Sequence, residues 1–235
     1  MQYEIKGAPF PAVICQLSGG ESICCQKGAM SWMSPNVQME TSVGGKSGGG
    51  FLGALGKAAT RALTGESIFQ NTYTAQGGAG EIAFASSIPG EILAMDLSDG
   101  SSIVAQKSAY FVSTPGVGME IFFQKKVGAG FFGGEGFIMQ KFSGNGMVFL
   151  QIDGSVIQYE LAAGQSMLID TGYLAAMSGT CQIDVETISG IGNVLFGGEG
   201  LFNTRVTGPG KVWIQTMPTY QLAETLRPYF PTSSN

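Results

Sequence analysis

Residues 17–41 read LSGGESICCQKGAMSWMSPNVQMET, residues 97–121 read LSDGSSIVAQKSAYFVSTPGVGMEI, and residues 161–185 read LAAGQSMLIDTGYLAAMSGTCQIDV. The three stretches align without a gap. Gly20, Gly100 and Gly164 share one position; an apolar residue follows each by 17 places (Val37, Val117, Cys181) and an acid by 20 (Glu40, Glu120, Asp184). Such recurrence marks a repeat architecture, and it has to be recognised before any motif, because a repeated turn otherwise passes for a functional signature.

Moving outward, the pairs Gly65-Glu66, Gly134-Glu135 and Gly198-Glu199 each lead into two apolar residues, and a G-x-G turn follows at Gly78–Gly80, Gly144–Gly146 and Gly208–Gly210. Two residues beyond each turn stands Ile82, Val148 or Val212. The spacing from acid to Gly-Glu is 26 in the first copy and 15 in the others, so the first carries 11 extra residues in SVGGKSGGGFLGALGKAATRALTG. Within each copy the hydrophobic period is two, clearest in Cys181-Gln182-Ile183-Asp184-Val185-Glu186, which predicts half-buried strands. Gly, Asn, Asp and Pro interrupt them at hairpin intervals. The fold class is therefore all-β, six to eight short strands per copy, with two helical segments predicted at Phe51 to Leu63 and Tyr220 to Leu226.

The chain has 235 residues, sufficient for one compact body without staples. The predicted organisation is a first β module at 1–96 with a Gly-rich helical insertion at about 43–65, a second at 97–160, a third at 161–218, and a tail at 219–235. A 64-residue β unit leaves edges and an apolar face uncovered, so three in a row are expected to cover one another with pseudo-threefold symmetry. Charged residues make up only 12% and mean hydropathy is +0.19, from which further burial by self-association is expected.

Twelve Lys and Arg against 17 Asp and Glu give a net charge of −5, so nucleic acid is a poor partner for the whole molecule. Lys27 and Lys107 recur at one repeat position, but the third copy has Thr171 there. Histidine is absent, which removes the usual general base and the commonest catalytic zinc ligand. Cys15, Cys24, Cys25 and Cys181 show no C-x-x-C spacing and read as reduced, packed thiols. The charge-free runs 7–20 and 67–80 are too short and too polar to span a bilayer, and the N-terminal residues lack a signal-peptide layout. A cytoplasmic, non-enzymatic protein without a cofactor is the expectation.

The triplicated L-x-x-G with its acid, the aromatic glycine segment GAGFFGGEGF and the insertion GGKSGGGFLGALGKAATRALTGES together resemble the mitochondrial biogenesis family named for altered inheritance of mitochondria, from about Tyr3 to about Pro218. The resemblance implies three β-sandwich modules, each like a subunit of the tryptophan-binding RNA attenuation protein, and rings such as trimers. It brings no catalytic residues. The eukaryotic members are inner-membrane proteins with a targeting extension, so a bacterial-type cytoplasmic member is the closer match.

Two stretches satisfy G-x-G-x-x-G, at Gly48–Gly53 and Gly128–Gly133, but neither sits in the βαβ setting that a dinucleotide fingerprint requires. They fall at one inter-strand location, where Gly190-Ile191-Gly192 stands in the third copy. Bulky apolar residues accompany it each time: Phe51 and Leu52, Phe131 and Phe132, Leu195 and Phe196. These six are the candidate binding face, for a membrane surface, a protein partner or a neighbouring subunit, with Lys57 and Arg61 flanking. Glu40, Glu120 and Asp184 would form a cation site if the copies brought them together, against the plainer reading of acids facing solvent. The sequence thus points to a self-associating β scaffold, trimeric if the resemblance holds. The alternative is a small-ligand binder with sites between modules or subunits, ahead of an undescribed enzyme.

Overall fold

The glycines that head the three stretches all take a left-handed backbone, with φ of +83° at Gly20 and Gly100 and +77° at Gly164. A Cβ there would meet nothing within 4 Å, so backbone conformation alone selects glycine. Each glycine lies in the turn before a strand, and from these turns the repeat can be followed through the molecule.

The structure, a computed structural model, describes residues 1–43, 69–125, 136–187 and 202–230. The predicted helix Phe51 to Leu63 lies outside them. In chain order the strands are β1 (Gln2–Lys6), β2 (Ala12–Leu17), β3 (Ser22–Gln26), β4 (Met30–Met33), β5 (Val37–Val43), β6 (Phe69–Ala75), β7 (Gly80–Ala85), β8 (Gly90–Asp96), β9 (Ile103–Gln106) and β10 (Tyr110–Ser113). They continue as β11 (Val117–Lys125), β12 (Phe137–Gly144), β13 (Met147–Asp153), β14 (Val156–Leu161), β15 (Ser166–Asp170), β16 (Leu174–Ser178), β17 (Gln182–Thr187), β18 (Phe202–Thr207) and β19 (Gly210–Gln215). A helix, α1 (Thr219–Leu226), follows, where the sequence predicts one from Tyr220.

The strands form four antiparallel sheets: β1-β2-β7-β4, β5-β6-β3-β10-β13-β8, β11-β12-β9-β16-β19-β14, and β15-β18-β17. The pairings recur at the sequence offsets. Val112 lies opposite Cys25 and Ser113 opposite Cys24 where β10 joins β3; Ala176 lies opposite Ala105 and Met177 opposite Val104 where β16 joins β9. A register shift falls between Met30 and Trp32, between Tyr110 and Val112, and between Leu174 and Ala176, always in the same strand of the unit.

Three core clusters lie between successive sheets. The first joins Val13, Ile23, Ile82 and Phe84 to Val112 and Phe149; the second joins Phe142, Val148 and Leu150 to Ala176 and Trp213; the third joins Val104 and Met139 to Leu174, Val206 and Val212. Strand β13 serves two of them, since Phe149 enters the first while Val148, Leu150 and Ile152 enter the second. A strand covered on both faces takes apolar residues at consecutive positions, as Met147-Val148-Phe149-Leu150 do, which is why MVFLQID lacks the alternation seen in the outer strand QIDVET. Ile82, Val148 and Val212, which follow the three G-x-G turns, are all fully buried.

Candidate functional site

The six bulky residues of the predicted binding face, Phe51, Leu52, Phe131, Phe132, Leu195 and Phe196, lie outside the described residues. Their segments connect β5 to β6, β11 to β12 and β17 to β18, so each occupies the same connection of its unit. Lys125, the last residue of β11, donates a hydrogen bond to the Val185 carbonyl in β17, which ties these two strands together.

The recurrent acids are not brought together. Glu40, Glu120 and Asp184 are exposed on the edge strands of three different sheets, opposite Thr72, Lys141 and Arg205 respectively. Among the described residues no group of three or more Cys, Asp or Glu side chains gathers.

The thiols are free, as their spacing predicts. Burial pushes Cys15 and Cys25 up to about 12, and raises Cys24 and Cys181 as well. A thiol held protonated in this way is a poor nucleophile at neutral pH. Carboxyls shift for local reasons: the N-terminal ammonium ion lies 2.7 Å from Glu21 and lowers it, and burial raises Asp153 although Thr219 donates to it through both its amide and its hydroxyl. Among the described residues no helix is long and apolar enough to cross a membrane.

The feature that the repeat analysis did not reach is that, among the described residues, β4 and β15, two of the eight strands that end a sheet, lack the neighbour their counterparts have. Strand β10 is buried along its whole length and β16 over its first four residues; their counterpart β4 is exposed at three of its four positions. All four residues of β9 are buried, whereas its counterpart β15 is buried at one of five. The difference is the neighbour: β10 abuts β3 and β16 abuts β9, while β4 and β15 each end a sheet. The residues left uncovered are large and apolar, with Trp32 46% exposed, Met33 37% and Leu168 51%. The repeat pattern does not signal this exposure, for Trp32-Met33 stands where the buried Val112-Ser113 and Ala176-Met177 stand in the other copies.

Helix α1 sits at the end of β15. The Tyr220 hydroxyl donates to Asp170 at 3.2 Å, and its ring fills the space above Gly172, where a Cβ would come within 2.1 Å of it. Beyond this anchor the helix has no buried residue, and Leu226, Tyr229 and Phe230 are 41%, 80% and 66% exposed.

The chain is an all-β body of antiparallel sheets with large apolar side chains exposed on the sheet-ending strands β4 and β15. The family described as Mitochondrial biogenesis AIM24 matches residues 3–217, and the chain belongs to it. An uncharacterized protein of Streptococcus pyogenes serotype M6 is 32% identical over 234 residues, covering 98% of this chain and 91% of that one. The crystal structure of a Streptococcus pyogenes protein superposes with a TM-score of 0.78 at 26% identity, covering 97% of this chain and 99% of that chain. These relatives establish the family and the fold, and bring no specific activity with them.

Proposed function

We propose that this protein is a non-enzymatic cytoplasmic scaffold that assembles head to tail, β4 of one copy pairing with β15 of the next. One observation carries the reading. Sheets two and three are each built from two three-strand halves, β5-β6-β3 with β10-β13-β8 and β11-β12-β9 with β16-β19-β14, whereas β15-β18-β17 and β4-β7-β2 are the same halves left apart. Joining the last half of one chain to the first half of another completes a third such sheet. By the register of the in-chain pairings, Met33 would face Leu168 and Trp32 would face Ile169.

A contact between two different surfaces closes into a ring when its rotation permits and otherwise runs on as a filament. Three chains are the closure we favour, as the family resemblance implies. Strand addition supplies main-chain hydrogen bonds, and the exposed side chains at the edge supply apolar contact. The absence of histidine and the protonated thiols support a binding rather than a catalytic role.

The test is the mass in solution by light scattering at micromolar concentration. The native chain is expected at a multiple of 24.5 kDa. Trp32→Lys and Leu168→Lys, which place a charge on each open edge as natural edge strands do, should each return it to a single-chain mass, with the melting temperature of the native chain diluted until it dissociates. A native chain of single mass, or lysine variants that stay assembled, would overturn the proposal.

A further inference from the structure

The two elements that depart from the repeat lie at its two ends. The first is β1, an extra strand outside β2 that among the described residues has no counterpart beside β8 or β14. The second is α1. After the hairpin strand β7 the chain crosses to the next sheet as β8, beside β13; after β13 it crosses again as β14, beside β19; after β19 the corresponding segment is α1. In both earlier cases this segment leaves its own sheet and joins the following one as its edge strand. At the third, the following sheet within the chain is the half-sheet β15-β18-β17, which lacks the strands such a segment would join.

We infer that α1 and the short turn after it, Arg227–Tyr229, cover β1 of the next copy, an inference that rests on the head-to-tail reading above. In the completed sheet the place beside β7 of the next copy is already taken by that copy's β2, and β1 forms the rim outside it. A strand in the position of α1 would have no vacancy, whereas a helix can lie across the rim. Both surfaces have what the contact needs. On β1, Tyr3 and Ile5 are 42% and 37% exposed, and Phe10 in the following turn is 56% exposed. On the helix, Leu222, Leu226 and Phe230 line an open hollow of about 570 Å³ whose walls all come from α1 and the turn after it. A hollow with one wall is the shape of half an interface, and exposed apolar side chains such as Ile5 and Phe10 are the usual sign of the other half, while Tyr3 also meets Phe149 of its own chain. The anchor at Tyr220 holds the helix beside Asp170, the last residue of the same strand whose open edge receives the partner's β4. The helix therefore lies next to the edge contact and extends it.

The test compares how tightly copies associate, measured by light scattering across a dilution series, for the native chain, Leu226→Asp, and a chain ended after Pro228. The last keeps α1 and loses Tyr229 and Phe230. Both variants should weaken association tenfold or more while keeping the native urea midpoint at concentrations where the native chain is dissociated. Ile5→Lys introduced together with Leu226→Asp should restore part of the loss, because the two charges then meet across the contact. If both variants associate as tightly as the native chain while Trp32→Lys still dissociates it, this inference fails and the edge pairing stands. If Ile5→Lys gives no recovery, β1 is not the surface covered and the inference fails. A native chain of single mass would remove both.

Discussion

Cys15 and Cys25 illustrate how this protein uses its reactive side chains. Both are fully buried, and desolvation dominates their titration, with the Glu21 carboxylate adding to it at Cys15 and the neighbouring Cys24 at Cys25. In the unfolded chain such a thiol ionises near its ordinary value of 9.0; in the folded chain it keeps its proton to about 12. Above pH 9 the unfolded state therefore binds fewer protons, and stability falls as pH rises through that window. By pH 10.5 the loss is about 2 kcal/mol for each of the two thiols. Urea midpoints measured from pH 8 to pH 10.5 should decline, and midpoints that hold level or rise would contradict the assignment. The reduced state of these cysteines was legible in their spacing. The exposure of Trp32 was not, because its position matches buried residues in the other copies, and exposure depends on a neighbouring strand that one copy lacks.

Among the elements, the central strands carry the fold and the outer ones carry its sequence signature. Alternation in β17 and the hairpin punctuation around Gly100 and Gly164 sufficed to read an all-β chain, since these elements are covered on one face or turn in glycine-dependent conformations. Strands β9, β10 and β13 gave a weaker signal because both their faces are buried, and a uniformly apolar run has no period to detect. Helix α1 was read one residue short, for Pro218 marks its start and Thr219 is held by Asp153, a contact 66 residues distant in sequence. The contrast between inner and outer strands has a measurable consequence. Phe149 on β13 is fully buried and meets Tyr3 edge-on at 4.8 Å, whereas Phe122 on β11 is 39% exposed. Phe149→Ala should cost about 3–5 kcal/mol and Phe122→Ala less than about 1 kcal/mol in urea unfolding. Equal losses would mean that the core does not lie between the sheets as described.

At the scale of the whole molecule, the boundaries at residues 96 and 160 divide the sequence repeat more cleanly than they divide the folded body. The first core draws Phe111, Val112 and Phe149 from beyond residue 96, and β3 and β10 form one continuous sheet across that boundary. What the sequence could not convey is that β15-β18-β17 and β4-β7-β2 stay apart within the chain as two unfinished sheets, because their residues obey the same pattern as their buried counterparts. The account rests on those unfinished sheets belonging to each other in neighbouring copies. Its most direct test is an oxidative cross-link between Met33→Cys and Leu168→Cys, the positions that correspond to the observed pairs Ser113 with Cys24 and Met177 with Val104. The double variant should run on a non-reducing gel as covalent multiples of 24.5 kDa, while each single variant stays at one chain. A double variant that remains at one chain, whether unlinked or closed upon itself, would contradict the head-to-tail assembly.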